Sequence, residues 1–215
     1  MISVLSENLD ALWHGLLTTL AITALAFVSA VVVGTVVAVF RVSPIPPLRA
    51  LGAVYVEVFR NIPLLSLLIL VAYGLPQVNI RFSYFTTAVV CLTAVSAAFA
   101  CETVRAGING VPVGQAEAAR ALGMTFGQSL AQVILPQALR TMVQPLVNIF
   151  IGVALGSSLA AAVSVGELTY AAQQVGNKTA ESMLLFLISA LVYIVIALLG
   201  GGAGSVLEKR LAVQR

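Results

Sequence analysis

Residues 15–40 read GLLTTLAITALAFVSAVVVGTVVAVF, 26 consecutive positions without a charged side chain. A helix needs about 20 mostly apolar residues to cross the hydrocarbon core of a bilayer, so this stretch spans with room for tilt. Residues 141–166 and 182–207 are also uncharged, and so are 61–80 and 82–101, separated only by Arg81. The whole 215-residue chain follows suit: 60% hydrophobic, 9% charged, mean hydropathy +1.06. Soluble domains carry roughly 25% charged residues. The shortage excludes a soluble enzyme, a nucleic-acid binder and a disordered chain. The net charge of +3 therefore concerns the sidedness of a membrane protein, and no nucleic-acid partner is expected.

The window 121–139 is uncharged too, but Thr125, Gly127, Gln128, Gln132, Pro136 and Gln137 make it too polar to face lipid. It reads as a helical loop at the membrane surface. Five spans remain, near 13–40, 52–75, 84–107, 141–165 and 183–204, within one domain covering 1–215. Arg41, Arg49, Arg120, Arg140, Lys209, Arg210 and Arg215 fall on one side; Arg81 and Lys178 fall on the other with Glu7, Asp10, Glu167 and Glu181. The positive-inside bias places the N-terminus outside and the C-terminus in the cytoplasm. The start lacks a basic n-region, so the first apolar run reads as a retained anchor.

Cys91 and Cys101 lie in apolar sequence and read as buried thiols, and the one histidine, His14, has no ligand partner nearby. No metal site and no catalytic set follow from these residues. A phosphate-binding loop is missing as well, since Lys178-Thr179 follows Asn177 and lacks the glycine frame.

Between the third and fourth spans lie 33 residues, Ile108 to Arg140. A loop that long needs structure of its own. Gly114 to Leu122 is rich in helix formers, and Gly123 suits a C-terminal stop. Thr125 and Gln128 have capping-box spacing, and the next helix runs toward Pro136. Two short helices projecting into the cytoplasm result. Ala116, Ala118, Ala119 and Ala121 would let a partner approach the first helix closely; a helix lying at the membrane interface is the equal alternative.

Glu117-Ala118-Ala119, then Gly123, then Val133-Ile134-Leu135-Pro136 resembles the EAA loop of ABC importer permeases, with valine where isoleucine is usual. Tyr55 to Leu65 is similar to the second-span motif of the polar amino-acid subgroup, and Ser96 to Ile108, with Glu102 and Arg105, to its third span. Ser157-Ser158-Leu159 and Gly166-Glu167-Leu168 resemble the end of its fourth span. Arg41-Val42-Ser43-Pro44, Gly114 to Glu117 and Lys209 to Ala212 resemble glutamate-type actinobacterial permeases. The resemblance implies an all-α, five-span permease of the bacterial cytoplasmic membrane that pairs with a second permease subunit. Its loop, with Gly114, Glu117, Ala118, Ala119, Gly123 and Pro136, would dock on a cytoplasmic ABC ATPase dimer that uses ATP and Mg. An extracytoplasmic binding protein would deliver the amino acid, and this chain itself would bind no cofactor. The subgroup commonly has a lysine where Leu155 stands, which favours a heterodimer whose other subunit provides it.

Glu57, Arg60, Glu102 and Arg105 are charges within the second and third spans, where a charge marks a pathway or a partner. Each pair is three residues apart on one helix face. Antiparallel spans would set Arg60 level with Glu102 and Glu57 level with Arg105. Two readings stand: ion pairs that fix helix packing, or a gate and substrate path, in which Glu102 best matches the family's position. Ser157 and Ser158 likewise read as a permease–permease interface or as a pore lining for the amino-acid head group, and Glu167 as a solvated acid of the outer loop or a contact for the binding protein. The function expected is permease of an ATP-driven importer for a polar amino acid, with glutamate, aspartate or glutamine favoured. The alternatives are an importer of another small polar solute or an ATP-independent secondary carrier. Glu117→Lys or Gly123→Asp should abolish substrate-stimulated ATPase activity of the assembled transporter while membrane insertion is retained. Normal coupled transport in either variant would refute the docking role.

Overall fold

The computed structural model describes residues 6–211, which are helical and without strands. The opening stretch lies in α1, Leu9–Val42. The buried face of α1 is mostly small, with Gly15, Thr19, Thr23, Ala26, Ala30, Gly34 and Ala38 beside the larger Ile22 and Val37. Lipid is as apolar as the side chains, so helices associate in a membrane by close packing, and small residues let the backbones meet. The partner is α4, Tyr84–Asn109, which starts from a Ser83 cap that accepts from the Thr86 amide at 3.0 Å. A Cβ on Gly34 would stand 2.7 Å from the Ala97 carbonyl oxygen and 2.9 Å from the Cys101 amide nitrogen. The two helices run parallel. Ile22 and Ala26 share a core with Ala88 and Cys91 near one end, and Arg41 reaches Glu102 at the other.

The second span is not one helix. α2, Pro46–Asn61, begins with prolines at its first positions, where no amide is needed. It stops at Ile62 because Pro63 disfavours helical backbone in the residue before it. α3, Leu64–Val78, then leaves at 103° to α2 and loosens through a π-turn, Leu70–Gly74, and a 3-10 turn, Leu75–Val78. Four helical stretches, Leu9–Val42, Tyr84–Asn109, Phe126–Val163 and Ser182–Arg210, are each long and apolar enough to cross a membrane, and the bent pair α2–α3 passes the same test jointly.

α5, Val113–Ala121, occupies the region expected for the first loop helix. Gly123 closes it with φ +77°, its amide donating to the Arg120 carbonyl at 2.9 Å and the Met124 amide to that of Ala119 at 3.1 Å. These are the paired bonds of a left-handed helix stop. The capping box forms in both directions between Thr125 and Gln128. The helix it starts does not end near Pro136, as the sequence suggested. It continues as α6, Phe126–Val163, through the fourth span. Pro136 lacks an amide and its ring would crowd the Gln132 carbonyl. The π-turn Ser129–Ile134 lies immediately ahead of it and widens the helix there. The far end of α6 tightens into a 3-10 segment, Ser157–Val163, and Ser164 at φ +62° ends it.

Two further helices complete the chain. α7, Leu168–Thr179, had no counterpart in the sequence reading. α8, Ser182–Leu211, packs on α6 through Gly200 and Gly204, where a Cβ would meet Phe150 at 2.7 Å and Val147 at 2.2 Å. At the α1–α4 seam the obstacle to a side chain on Gly34 is backbone, which cannot rotate away. Gly34→Leu should lower the melting temperature of the purified protein, at a cost of at least about 1–3 kcal/mol for overpacking. Gly127→Ala, at a helical glycine whose added Cβ meets nothing within 4 Å, should leave it unchanged or raise it.

Candidate functional site

A cleft of about 470 Å³ opens between α2, α3, α4 and α6. Arg60 enters it from the last turn of α2, where a cation suits the helix dipole. Its guanidinium carbon lies 5.5 Å from the centroid of the exposed Phe99 ring. α4 adds Ser96, Glu102 and Thr103; α6 adds Pro145, Asn148 and Gly152. Asn148 and Gly152 are four residues apart and share a face. A Cβ on Gly152 would meet nothing within 4 Å, so the glycine keeps the wall open.

The cleft continues along the same two helices. Glu102, Thr103 and Pro145 also line a cavity of about 350 Å³, with Gly110 and Thr141 farther along. Gly110 and Thr141 in turn line a third cavity of about 230 Å³ that reaches Pro112, Gln137 and Arg140, beside the start of α5. The three form a track down the α4–α6 seam. Pro145 lies within it and deprives the Thr141 carbonyl of its helix donor, leaving an acceptor for another group.

The expected crossed ion pairs are not formed. Glu102 instead accepts from Arg41 at one carboxylate oxygen and from Arg105, at 3.4 Å, at the other. Arg60 stacks on Phe99, and Glu57 is exposed, with the Asn61 side-chain amide donating to its backbone carbonyl at 2.7 Å. The break at Ile62-Pro63 turns the chain early, so a straight antiparallel register does not apply to α2 and α4. The parallel α1–α4 seam brings in Arg41, which the sequence had assigned only to the cytoplasmic loop.

Ser157 is buried and donates to the Ala154 carbonyl at 2.7 Å; Ser158 donates to that of Leu155, also at 2.7 Å. Both hydroxyls bond back into their own helix, and neither lines the three cavities. Gly114, Glu117 and Ala118 are exposed on α5, while Ala119 is buried. Pro136 lies in α6, and the adjacent Gln137 ties α6 to α5 through the Gln115 amide oxygen at 3.3 Å. Among the described residues no three His, Cys, Asp or Glu side chains gather as metal ligands.

Residues 30–213 match the family described as binding-protein-dependent transport system inner membrane component. The chain belongs to this family of ABC importer permeases. It is 37% identical to the probable glutamine ABC transporter permease protein GlnM of Bacillus subtilis, over 98% of this chain and 97% of that one. It is 35% identical to the glutamate/aspartate import permease protein GltK of Escherichia coli, again over 98% and 97%. The fold superposes with a TM-score of 0.90, at 33% identity and 96% coverage of both chains, on the crystal structure of an amino acid ABC transporter with histidines. The permease is thus a multi-pass membrane protein, and its relatives are transport subunits.

One polar group of the permease was misread in sequence. Glu167, expected to be solvated, is fully buried. Its carboxylate accepts from the Thr169 amide at 2.9 Å, the Tyr170 amide at 2.7 Å and the Tyr193 hydroxyl at 2.5 Å, capping α7 and holding it to α8. Thr19 of α1 accepts from the next amide, Leu168, at 3.1 Å. The available signal was Glu167-Leu168-Thr169 opening an amphipathic run. Burial raises the Glu167 carboxyl above its ordinary 4.5, against the opposing pull of the Tyr193, Thr169 and Tyr170 hydrogen bonds. The protonated form is therefore favoured on folding. Its contribution is complete below 4.5 and is lost as pH rises through the raised value. Melting temperature across that window should fall with rising pH, and Glu167→Gln should flatten the dependence. Glu167→Ala should cost about 1–2 kcal/mol through the lost cap.

Proposed function

We propose that this permease is the translocation subunit of an ATP-driven importer of a polar amino acid, with glutamate, aspartate or glutamine as favoured substrates. The track along α4 and α6 carries this reading. It is lined by charged, hydroxyl and amide groups in an otherwise apolar chain, and it leads from the central cleft to the loop that precedes α5. The named substrates of the relatives, glutamine and glutamate/aspartate, support an amino acid as cargo.

In this reading the N-terminus is outside and the C-terminus is cytoplasmic, as the basic residues favour. The bent pair α2–α3 serves as the remaining span. α5 and the start of α6 dock on the ATPase dimer, with Glu117 as polar anchor and Gly123 allowing the tight turn. ATP and Mg belong to the ATPase. α6 is continuous from that turn to the cleft wall, so a rigid-body push at Phe126 reaches Asn148 and Gly152 without an intervening loop. A second permease closes the open side of the cleft, and Leu155 favours a heterodimer. A binding protein delivers substrate from outside.

Reconstitution with the ATPase, the second permease and the binding protein should give ATP-dependent uptake of labelled L-glutamate, L-aspartate or L-glutamine. Gly152→Leu, which fills the cleft, should lower that uptake by about tenfold or more with the complex still assembled. Proton- or sodium-driven flux through this chain alone would overturn the importer reading.

A further inference from the structure

The geometry points to Arg60 as the anchor for the carboxylate of the transported solute, with Glu102 serving the fold and not the solute. This inference rests on the amino-acid reading above. Three charged side chains line the track: Arg60, Glu102 and Arg140. Glu102 divides its two carboxylate oxygens between Arg41 and Arg105, both half-buried like itself. Freeing it to meet a substrate ammonium would leave the two half-buried guanidinium groups of Arg41 and Arg105 without their shared carboxylate.

Arg60 is in the opposite condition. Among the described residues no carboxylate lies within ion-pairing distance of it. Its guanidinium lies over the Phe99 ring, an arrangement that can leave the planar fork of N–H donors free at the edge. That fork matches a carboxylate with two parallel hydrogen bonds. Arg60 is exposed where it lines the cleft, so its charge is accessible to an arriving anion. Arg140, at the other end of the track, also has no carboxylate partner among the described residues. With Glu102 neutralised by two arginines, the track carries a cation at each end and no unpaired acid between them. It suits an amino acid of negative or zero net charge and repels one whose side chain adds a positive charge.

The test is equilibrium binding of labelled L-glutamate and L-arginine to the purified permease–ATPase complex without the binding protein, so that only the permease track selects. The wild type should bind glutamate in preference to arginine. Arg60→Met should weaken glutamate binding by about tenfold or more, as expected for a lost charge-assisted contact, in a complex that still assembles. Arg60→Lys, which keeps the charge without the fork, should fall between the two, and it decides the matter if Arg60→Met does not assemble. Unchanged glutamate binding in an assembled Arg60 variant, or a wild-type preference for arginine, overturns the inference and leaves the importer reading intact. A wild-type complex that neither binds nor moves any amino acid overturns both.

Discussion

Close approach of α1 to α4 is the contact on which the rest of the permease depends. Between lipid-embedded helices there is no hydrophobic gain in exchanging a lipid neighbour for a protein one, so the association rests on contact distance. Gly34 brings the α1 backbone against the Ala97 carbonyl and the Cys101 amide, and Ala26 and Ala30 continue the same narrow face. The parallel alignment that results places Arg41 on Glu102. It thereby determines which acid of the seam is neutralised and which arginine stays open to the cleft.

α6 supplies the opposite wall of the cleft. A capped turn at Thr125, a π-turn ahead of Pro136, a proline beside the track at Pro145 and an open Gly152 all lie on one uninterrupted helix. Each departure from regular helix geometry relieves a proline or ends the helix, and none breaks it. At its far end Glu167 joins α7 to α8, while the neighbouring Leu168 amide reaches α1. This segment is therefore held by polar bonds where the α1–α4 seam is held by packing. α8 is fastened to α6 twice, by Gly200 and Gly204 within the apolar layer and by the Gln144–Glu208 hydrogen bond at 2.7 Å near its end.

Much of this was legible along the chain. The α1 and α8 runs, the α5 helix with its Gly123 stop and the Thr125–Gln128 box are local features: length, propensity and capping are properties of neighbouring residues. Assignments that failed involved distance in space. Arg60 was matched to Glu102 by assuming a straight second span, and Ile62-Pro63 turned that span by 103°. Glu167 was read as solvated because its three donors sit on two different helices, one of them 26 positions away. Pro136 was read as a stop because a proline usually ends a helix, whereas the π-turn Ser129–Ile134 let it pass.

The sequence by itself determined that this is a membrane protein with a structured loop between its third and fourth apolar runs, because transfer free energy and helix caps act on contiguous residues. It also supplied the family, through motifs in order across nearly the whole chain. Tertiary structure alone decided which charges neutralise one another and which face the cleft. Coulombic pairing depends on distances of a few ångströms between side chains far apart in number, and those distances follow from helix crossing and helix breaks. The scarcity of charge was visible from the first 40 residues; the excess of positive charge along the track was not.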